Sequence, residues 1–547
     1  MTALDAFFAS YYRRRPVNAT FTGVHDYDDR LPDWSPDGLA AMADEMRSIH
    51  AALGDAPADR SALRDVAVRD RALAASFLNL QIAEIDGRHF QRGNPSLALG
   101  EAAFGVISLI TRPFAPAVQR SRALTARLEV WPTFLTGARQ SIADGVPNEW
   151  RAKTLRECDG AERLLRDGLP QWLAAESLAD DAALGRARSR ARGALEDFRR
   201  WLEHDAPAAP ADRYASGPDL FGRLLKDGHY CSTSAADLEA AANDALDRAL
   251  ATLDDRARGA GGWPAVQARL AARHPTANGY LSTYQQIWND CRATAIAHDL
   301  VTWPTYPIRY VPIPVHTRDA APLLYYLFYR SPAPFDHAPM HDYVVTPIDA
   351  EMAPDEQERR LRAANTSVIT LNHVVHHGAI GHHVQNYYAY TGDSEIGRVA
   401  AVDCASRIGM FLGGTMAEGW ACYATDLMDE VGFLSADESL AQQHTRARLL
   451  ARAVADLGLH LGAMSFDAAV ALYRDRLGMS PEAARGEACK NSMFPGTAIM
   501  YWLGTDGLHR LREARARSDG SAFSLRQFHD RVLSFGSIPV LLLEHIW

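Results

Sequence analysis

The sequence predicts a large, mainly α-helical protein with one small β-sheet. Its 547 residues are 47% apolar and 23% charged, which is the ordinary balance of a globular chain. Apolar side chains recur every three or four residues in long stretches rich in Ala, Leu, Arg, Glu and Asp, the pattern of amphipathic helices. These stretches occupy residues 39–52, 65–85, 124–143, 161–204 and 235–260.

Helix starts and breaks are marked where this pattern needs them. Ser35 and the run 232–234 place hydroxyl groups ahead of two helices, where they can accept hydrogen bonds from the free amides of a first turn. Breaks rich in proline and glycine lie at residues 205–212 and 259–264. The last residues, 535–544, are apolar enough to dock into the core.

Residues 302–347 differ from the rest of the chain and predict the β-sheet. The segment is rich in Pro, Tyr, Val and Ile, a composition typical of short edge strands. The candidate strands lie within 303–315, 323–330 and 343–346, and helix resumes near Pro354. We expect a helical region at 1–300 and a metal-site region with edge strands and catalytic helices at 301–547, within one continuous structural domain.

Charge and cysteine content exclude several classes of protein. The net charge of −10 argues against a nucleic-acid binder, which would carry a concentrated basic face. The six cysteines lie far apart, so they predict free thiols and not a disulfide framework or a cysteine zinc site. The N-terminus has no basic stretch before an apolar one, and Glu101 interrupts the longest apolar run. We therefore expect a cytoplasmic protein with no membrane partner.

Five histidines crowd into one short segment and predict a metal site. Packing alone does not explain such a density, and neutral imidazole is the commonest metal ligand in proteins. A structural metal clip or a proton-sensitive helix is the alternative interpretation. The five are His373, His376, His377, His382 and His383.

Glu418 is the candidate third ligand. It lies about 35 residues after the histidines, in an apolar and aromatic helical stretch, and a buried carboxylate needs a cation or a metal as its partner. A catalytic zinc site takes two such histidines and a carboxylate and keeps one position open. The alternative is a buried ion pair of Glu418 with Arg407 or Arg452.

These segments resemble the bacterial "domain of unknown function 885" family, regarded as zincin-like metallopeptidases, over nearly the whole chain. The family motifs are H-E-x-x-P-G-H-H-x-Q and E-G-W-A-x-Y. The matching segments here are 376–385 and 418–423, with further likeness at 16–33, 456–460, 495–504 and 536–539. The resemblance implies a large helical zincin-like metallopeptidase fold, with the small sheet near the active site.

Two residues depart from the family pattern, and both lie in the histidine-containing motif at 376–385. The family glutamate that follows the first histidine is His377 here, and the family proline is Ile380. In H-E-x-x-H enzymes that glutamate takes the proton from the attacking water. Either His377 serves as the base in place of that glutamate, or Glu418 or another acid does so. Otherwise the protein catalyses a different reaction or none.

The spacing of the histidines requires an interrupted helix. From His376 to His382 a regular helix turns about 600°, which points the second ring away from the first. Gly378 and Gly381 lie between them, where a bulge or kink costs little. We expect His376, His382 and Glu418 to be the ligands, with His383 as the alternative second histidine.

Three further residues are candidates for catalysis, from position and resemblance together. Asp456 and His460 share one helix face and could hold a substrate carboxylate or an oxyanion, or form a plain buried pair. Tyr501 follows a Pro-Gly break and could donate its hydroxyl to an oxyanion, or be a core tyrosine.

The leading hypothesis is a zinc-dependent hydrolase of peptide or amide bonds in a small peptide or amino-acid derivative. The extended substrate would lie along the strands within 306–345. Fe²⁺ and Mn²⁺ are the alternative metals. Two histidines and a carboxylate also form the site of non-haem iron oxygenases, which makes non-hydrolytic chemistry the second hypothesis. The third is a catalytically silent binding protein. The oligomeric state is not predicted.

Overall fold

Most residues are helical in the computed structural model of the protein, which confirms the predicted fold class. The structure describes residues 2–55, 57, 59–89, 93–142, 144–210, 213–322, 324, 332–349, 351–402 and 407–547. The predicted strand at 323–330 therefore lies, except for Leu324, outside the described residues. Every helix among the described residues is too short or too polar to cross a bilayer.

The first half of the chain is helical wherever the structure describes regular elements longer than one turn. Its helices, α1 to α13 in order, span Ala3–Arg14, Pro16–Thr22, Pro36–Leu53, Val66–Asp86, Pro95–Ile110, Ala117–Ser141, Asn148–Arg163, Leu169–Ala175, Ala182–Arg200, Gly217–Arg223, Ala235–Arg258, Trp263–Ala272 and Tyr280–Ala297.

The second half contains the sheet and the remaining helices. The strands are β1 (Ile308–Pro312) and β2 (His341–Val345). The helices, α14 to α25 in order, span Val315–Arg318, Pro354–Ala363, Thr366–Val368, His382–Thr391, Glu395–Ala400, Gly414–Glu430, Ala436–His460, Phe466–Ala471, Pro481–Met493, Ile499–Asp519, Leu525–Ser534 and Val540–Ile546.

Several helices widen into π-helical turns, and the described residues also include two 3₁₀ turns. The 3₁₀ turns are Arg60–Arg64 and Gly520–Ala522. The π-helical segments are Leu164–Gly168, Trp201–Asp205, Leu224–Gly228, Ile369–Gly378, Gly409–Gly413 and Leu472–Arg476. The longest of them carries the first three clustered histidines, and π-helical turns are frequent at functional sites.

The predicted cap signals are present, but one predicted helix is broken. The hydroxyls of Ser35 and Ser234 accept the amides of Gly38 and Asp237 and so begin α3 and α11. The single helix predicted over 161–204 is wrong, because the chain leaves the helix at 176–181. Asp181 accepts the amides of Ala183 and Leu184 and begins a new helix there.

The sheet has two parallel strands among the described residues and lies beside the histidine-rich segment. Ile308 pairs with His341, and Pro312 pairs with Val345 at the other end. Tyr343 of β2 hydrogen-bonds through its hydroxyl to Nδ1 of His373 at 3.0 Å. The expectation of a small sheet near the candidate site is therefore confirmed.

One hydrophobic core joins the first and second halves of the chain. It runs from Phe7 in α1 to Ile546 in α25 without a division at residue 300. The C-terminal tail docks into this core as predicted, since Ser537 and Ile538 are fully buried. The five described cysteines are free and buried, in agreement with a chain that needs no disulfide framework.

Helices α19 and α23 cross with their backbones in contact. A Cβ atom on Gly504 would collide with the carbonyl oxygen of Thr415 and would lie 2.8 Å from the Cα atom of Gly419. A Cβ on Gly419 would in turn lie 2.5 Å from the Cα atom of Gly504. This crossing brings Glu418 of α19 and Tyr501 of α23 into one cavity, described below.

Substituting Gly504 by alanine is expected to destabilise the protein. The added methyl group has no space in the crossing, and overpacking a core costs about 1–3 kcal/mol. Gly193 of α9 is the matched control, since a Cβ there meets nothing within 4 Å. Gly193→Ala should stabilise the protein by up to about 1 kcal/mol. Chemical denaturation measures both, and a Gly504→Ala protein as stable as wild type would contradict the expectation.

Candidate metal centre

The histidine-rich segment is interrupted between His376 and His382, as the sequence predicts. The π-helical segment ends at Gly378, and α17 begins at His382. The amide of Gly381 donates to the carbonyl of Val375 at 2.9 Å, which closes a wide turn. Only glycine fits at its two ends, because a Cβ on Gly378 would collide with the Tyr310 hydroxyl and one on Gly381 with the His376 carbonyl.

Two tryptophans hold this turn in place. The indole nitrogen of Trp288 donates to the carbonyl of Gly378, and that of Trp420 donates to the carbonyl of Ile380, both at 2.8 Å. The break leaves these two carbonyls without a partner in the backbone hydrogen bonds of the helix. The two indoles supply that partner, and a buried carbonyl without one would lower the stability of the fold. They also fix α13 and α19 against the histidine-rich segment. Glu418, two residues before Trp420, is thereby placed beside the histidines.

Three histidines and one glutamate converge at this point. The nearest ligand atoms of His376, His377 and His382 all lie within 4.8 Å of one another. Oε2 of Glu418 lies 3.3 Å from Nε2 of His376 and 3.6 Å from Nε2 of His382. The side chains of His376, His382 and Glu418 are 16%, 9% and 10% exposed, so the cluster is largely buried and only a small part of it reaches solvent.

These separations fit the donor set of a metal. Ligand atoms held about 2.0–2.2 Å from a tetrahedral zinc ion lie about 3.3–3.5 Å apart. A direct charge-assisted hydrogen bond between imidazolium and carboxylate is shorter, about 2.7–2.9 Å. The distances of Glu418 to His376 and His382 match the first arrangement better than the second. The residues are therefore suited to hold a divalent ion such as Zn²⁺, Fe²⁺ or Mn²⁺.

Glu418 is held as a carboxylate by its histidine neighbours. Burial alone would raise its pKa, but the two imidazoles at 3.3 and 3.6 Å hold the pKa well below its usual range. The alternative of an ion pair with Arg407 or Arg452 is wrong. Arg407 pairs with Glu84, and Arg452 pairs with Glu487.

His377 stands beside the cluster in a defined tautomer. A carbonyl can only accept, so the contact of 2.7 Å between Nδ1 of His377 and the carbonyl of Asn372 places the hydrogen on Nδ1. The neutral ring then carries its lone pair on Nε2. That nitrogen can accept a proton or bind a metal, and the geometry permits both roles.

His383, predicted as the alternative second ligand, does not join the cluster. Its Nε2 faces the carbonyl of Tyr306 at 2.9 Å, and its ring stacks on that of Tyr306. Burial lowers the pKa of His383 to about 4, so the ring is neutral. The turn at 379–381 directs His382 towards His376 and the next residue away from it, which decides between the two neighbours.

Asp456 and His460 lie in a supporting position and do not line the cavity at Glu418. Both side chains are fully buried, and their closest atoms are 3.7 Å apart, too far for the predicted hydrogen bond. Asp456 accepts the amides of Gly496, Ala498 and Ile499 and so holds the start of α23. Burial lowers the pKa of His460 to about 3, and its Nε2 faces the carbonyl of Asn491 at 2.8 Å. Neither side chain is placed to contact a substrate.

Tyr501 shares a cavity with Glu418. The cavity has a volume of about 60 Å³, enough for a few water molecules or a small polar group. Its polar lining comes from Glu418, Arg452, Lys490, Asn491, Thr497 and Tyr501. The predicted position of Tyr501 near the metal ligands is consistent with this arrangement.

Sequence reasoning missed two sets of residues around the site. The indole of Trp288 had no signal of its own, since it lies about 90 residues before the turn it supports. Of the two cations that line the cavity, the sequence analysis treats Arg452 only as a possible partner of Glu418 and does not single out Lys490.

Comparison with known proteins agrees with the fold and with the motifs. The model of the family described as "Bacterial protein of unknown function (DUF885)" matches residues 16–546. A candidate lipoprotein of unknown function from Shewanella oneidensis has the same fold, with a TM-score of 0.75, 21% identity and coverage of 99% of this chain and 98% of that chain. A candidate lipoprotein from Colwellia psychrerythraea has a TM-score of 0.76 and 16% identity, covering 99% and 97%. No curated protein matches this chain in sequence.

The fold and the site together define a large helical protein with a histidine–glutamate cluster beside a small parallel sheet. The chain belongs to the DUF885 family. The family match extends over residues 16–546, so the predicted family membership is confirmed. The description of the family as zincin-like metallopeptidases stays a prediction.

Purified protein is expected to hold about one divalent ion at the cluster. Combining His376→Ala with Glu418→Ala removes two ligands and should abolish the bound metal. His204→Ala is the control, because that histidine is 69% exposed and lies in the first half of the chain. Elemental analysis of protein prepared without an affinity tag measures the metal. Absence of metal, or metal retained by the double variant, would contradict the assignment.

Proposed function

We propose that this protein is a metal-dependent hydrolase that cleaves a peptide or amide bond in a small peptide or amino-acid derivative. The observation that carries the proposal is the convergence of His376, His382 and Glu418 at ligand-like separations beside a solvent-reaching cavity. His376, His382 and Glu418 would hold the metal. When bound, a divalent ion there acts as a Lewis acid towards a carbonyl oxygen and makes water a better nucleophile at neutral pH.

His377 is proposed as the general base in place of the family glutamate. The hydrogen bond from its Nδ1 to Asn372 fixes the ring and leaves Nε2 to receive the proton of the attacking water. The ring centroid of His377 lies 4.7 Å from that of His376 and 5.2 Å from that of His382, within reach of groups at the cluster. Imidazole has an ordinary pKa near 6.5, suited to proton transfer at neutral pH.

Tyr501 is proposed to donate its hydroxyl to the oxyanion that forms at the substrate carbonyl. Its ring lies in the cavity that also contains Glu418, and the guanidinium of Arg452 lies 5.5 Å from the ring centroid. A fixed donor aimed at developing negative charge is among the strongest sources of rate enhancement. Strands β1 and β2 offer backbone groups along which an extended substrate could pair.

A second candidate is non-hydrolytic metal chemistry. Two histidines and a carboxylate are also the ligands of non-haem iron enzymes, and His377 replaces the residue that hydrolysis normally uses. Metal identity separates the two candidates: zinc supports hydrolysis, and a redox-active iron supports the other chemistry. A catalytically silent binding protein is the third outcome and would show no turnover with any substrate.

The comparisons do not support the expected cytoplasmic location, because the two structural neighbours are described as candidate lipoproteins. Cell fractionation with detection of the native chain decides between soluble and membrane-attached pools.

Removal of the general base is expected to slow turnover without loss of metal. Incubation with a library of short peptides, with products identified by mass spectrometry, first establishes a substrate. His377→Ala should then lower kcat by about 10²–10⁴-fold with metal content unchanged. His377→Glu restores the family residue and should retain or increase cleavage. An alanine variant with wild-type turnover would exclude the base role, and one that loses its metal would make His377 a ligand.

Chelation is expected to leave the helical fold intact. The core extends through both halves of the chain, and most of it lies outside the histidine-rich segment. Thermal melts followed by the helical circular dichroism signal should show a modest decrease in Tm on addition of a chelator. Global unfolding on chelation would instead make the site structural.

A further inference from the structure

The cavity beside Glu418 has an apolar wall as well as a polar one. The apolar wall comes from the end of α22, the start of α23, and α19 with the π-helical segment before it. Its large members are Met410, Phe494 and Met500, and its small members include Gly414, Ala417 and Ala498. Pockets that bind organic groups are typically lined in this way, mostly by apolar side chains with a few polar groups among them.

The charged side chains of the polar wall are engaged within the protein. The Nε and Nη2 atoms of Arg452 donate to the carboxylate of Glu487 at 2.7 and 2.6 Å. Burial would raise the pKa of Glu487, but the charge and hydrogen bonds of Arg452 and next the charge of Lys490 lower it to about 2. Glu418 is held by the histidines of the metal centre. A charged group that entered this cavity would find these partners taken, and its burial would be costly.

The volume of the cavity fits a side chain of moderate size. About 60 Å³ is open to the centres of water molecules, and one water needs about 10–15 Å³ of such space. The cavity therefore has room for about four to six waters, which occupy about 120–180 Å³ in the liquid. An apolar cavity of about 150 Å³ accommodates benzene. A leucine or methionine side chain fits this space, whereas the two fused rings of tryptophan exceed it.

Met500 packs against Gly414 at one side of the cavity. A Cβ atom on Gly414 would collide with Sδ of Met500, so the thioether lies directly on the backbone of α19. Gly414 has a φ of −60°, which any residue adopts, so space and not backbone conformation favours glycine here. Methionine side chains are flexible and polarisable, which lets one pocket accept several apolar shapes.

We propose that this cavity receives an uncharged apolar side chain of the substrate, of about the size of leucine or methionine, next to the bond that is cleaved. The inference rests on the proposed function and narrows its substrate class to peptides or acylated amino acids with such a residue. Glu418 belongs to both the metal centre and the cavity, so a side chain bound here places the adjoining amide bond close to the metal ligands. Burial of the side chain supplies binding energy that orients this bond.

The test compares the retention of short capped peptides that differ in one side chain. N-acetylated dipeptide amides carry glycine at one position and glycine, leucine, methionine, tryptophan, aspartate or lysine at the other, in two series. The full-length protein as purified is equilibrated with each mixture, and retained peptides are counted by mass spectrometry. Leucine and methionine should be retained over glycine by at least about tenfold in one series, the lower limit for one methylene group in an apolar pocket. Tryptophan, aspartate and lysine should show no such gain.

Two variants change the cavity in opposite directions. Gly414→Ala adds a methyl group to the wall and should reduce the ratio of leucine to glycine retained towards one. Met500→Ala widens the cavity and should raise the retention of tryptophan to that of leucine or above.

Each variant has a matched control. Gly193→Ala changes a helical glycine with free space around it, and Met479→Ala removes a half-buried methionine from the loop before α22. Both should keep the wild-type order of retention. Helical content and Tm are measured for every variant, so that a loss of folding is recognised. If Gly414→Ala does not fold, Met500→Ala carries the test.

The outcomes distinguish this inference from the proposed hydrolysis. Selective retention of leucine and methionine without any cleavage would support the apolar pocket and contradict the hydrolase. Equal retention of all side chains by wild type would overturn the pocket, whether or not peptides are cleaved. A preference for aspartate or lysine would also overturn it, as would an order of retention that is unchanged in both Gly414→Ala and Met500→Ala.

Discussion

The position of helix α19 is the constraint on which the rest of the site depends. Its backbone contacts that of α23 at Gly419 and Gly504, where there is no space for a side chain. At the residue after Gly419, the indole of Trp420 donates a hydrogen bond to the carbonyl of Ile380. Glu418 directly precedes Gly419, so its backbone is held by these contacts, and its carboxylate lies 3.3 Å from Nε2 of His376 and 3.6 Å from Nε2 of His382. Under the proposed function, a side chain held in place in this way would lose little entropy on binding a metal.

Glu418 has different surroundings on its two sides. On one side its carboxylate faces the imidazoles of His376 and His382, and on the other it lines the cavity that also contains Arg452 and Tyr501. The guanidinium of Arg452 is paired with Glu487 of α22, so that charge is balanced within the protein. Under the proposed function, one side chain would both hold the metal and line the space beside it.

The sequence predicted the features that depend on local pattern. Amphipathic periodicity and serine caps predicted most helices, and the glycines at 378 and 381 predicted the interruption between His376 and His382. The sequence left the choice between His382 and His383 open, because the direction of the two rings depends on the indoles of Trp288 and Trp420. The hydrogen bond expected between Asp456 and His460 does not form, because i, i+4 spacing shows that two residues share a helix face but not what packs against it. The amides of Gly496, Ala498 and Ile499 occupy the carboxylate of Asp456.

The wide turn between His376 and His382 also makes the site sensitive to the length of this segment. The hydrogen bond from Gly381 back to Val375 encloses a loop whose number of residues determines which ring reaches Glu418. Deleting one residue between positions 378 and 381 would move His383 into the place of His382 and leave Tyr306 without its stacked partner. Because two histidines are adjacent, such a deletion would exchange one imidazole for another at Glu418 and would not remove the imidazole altogether.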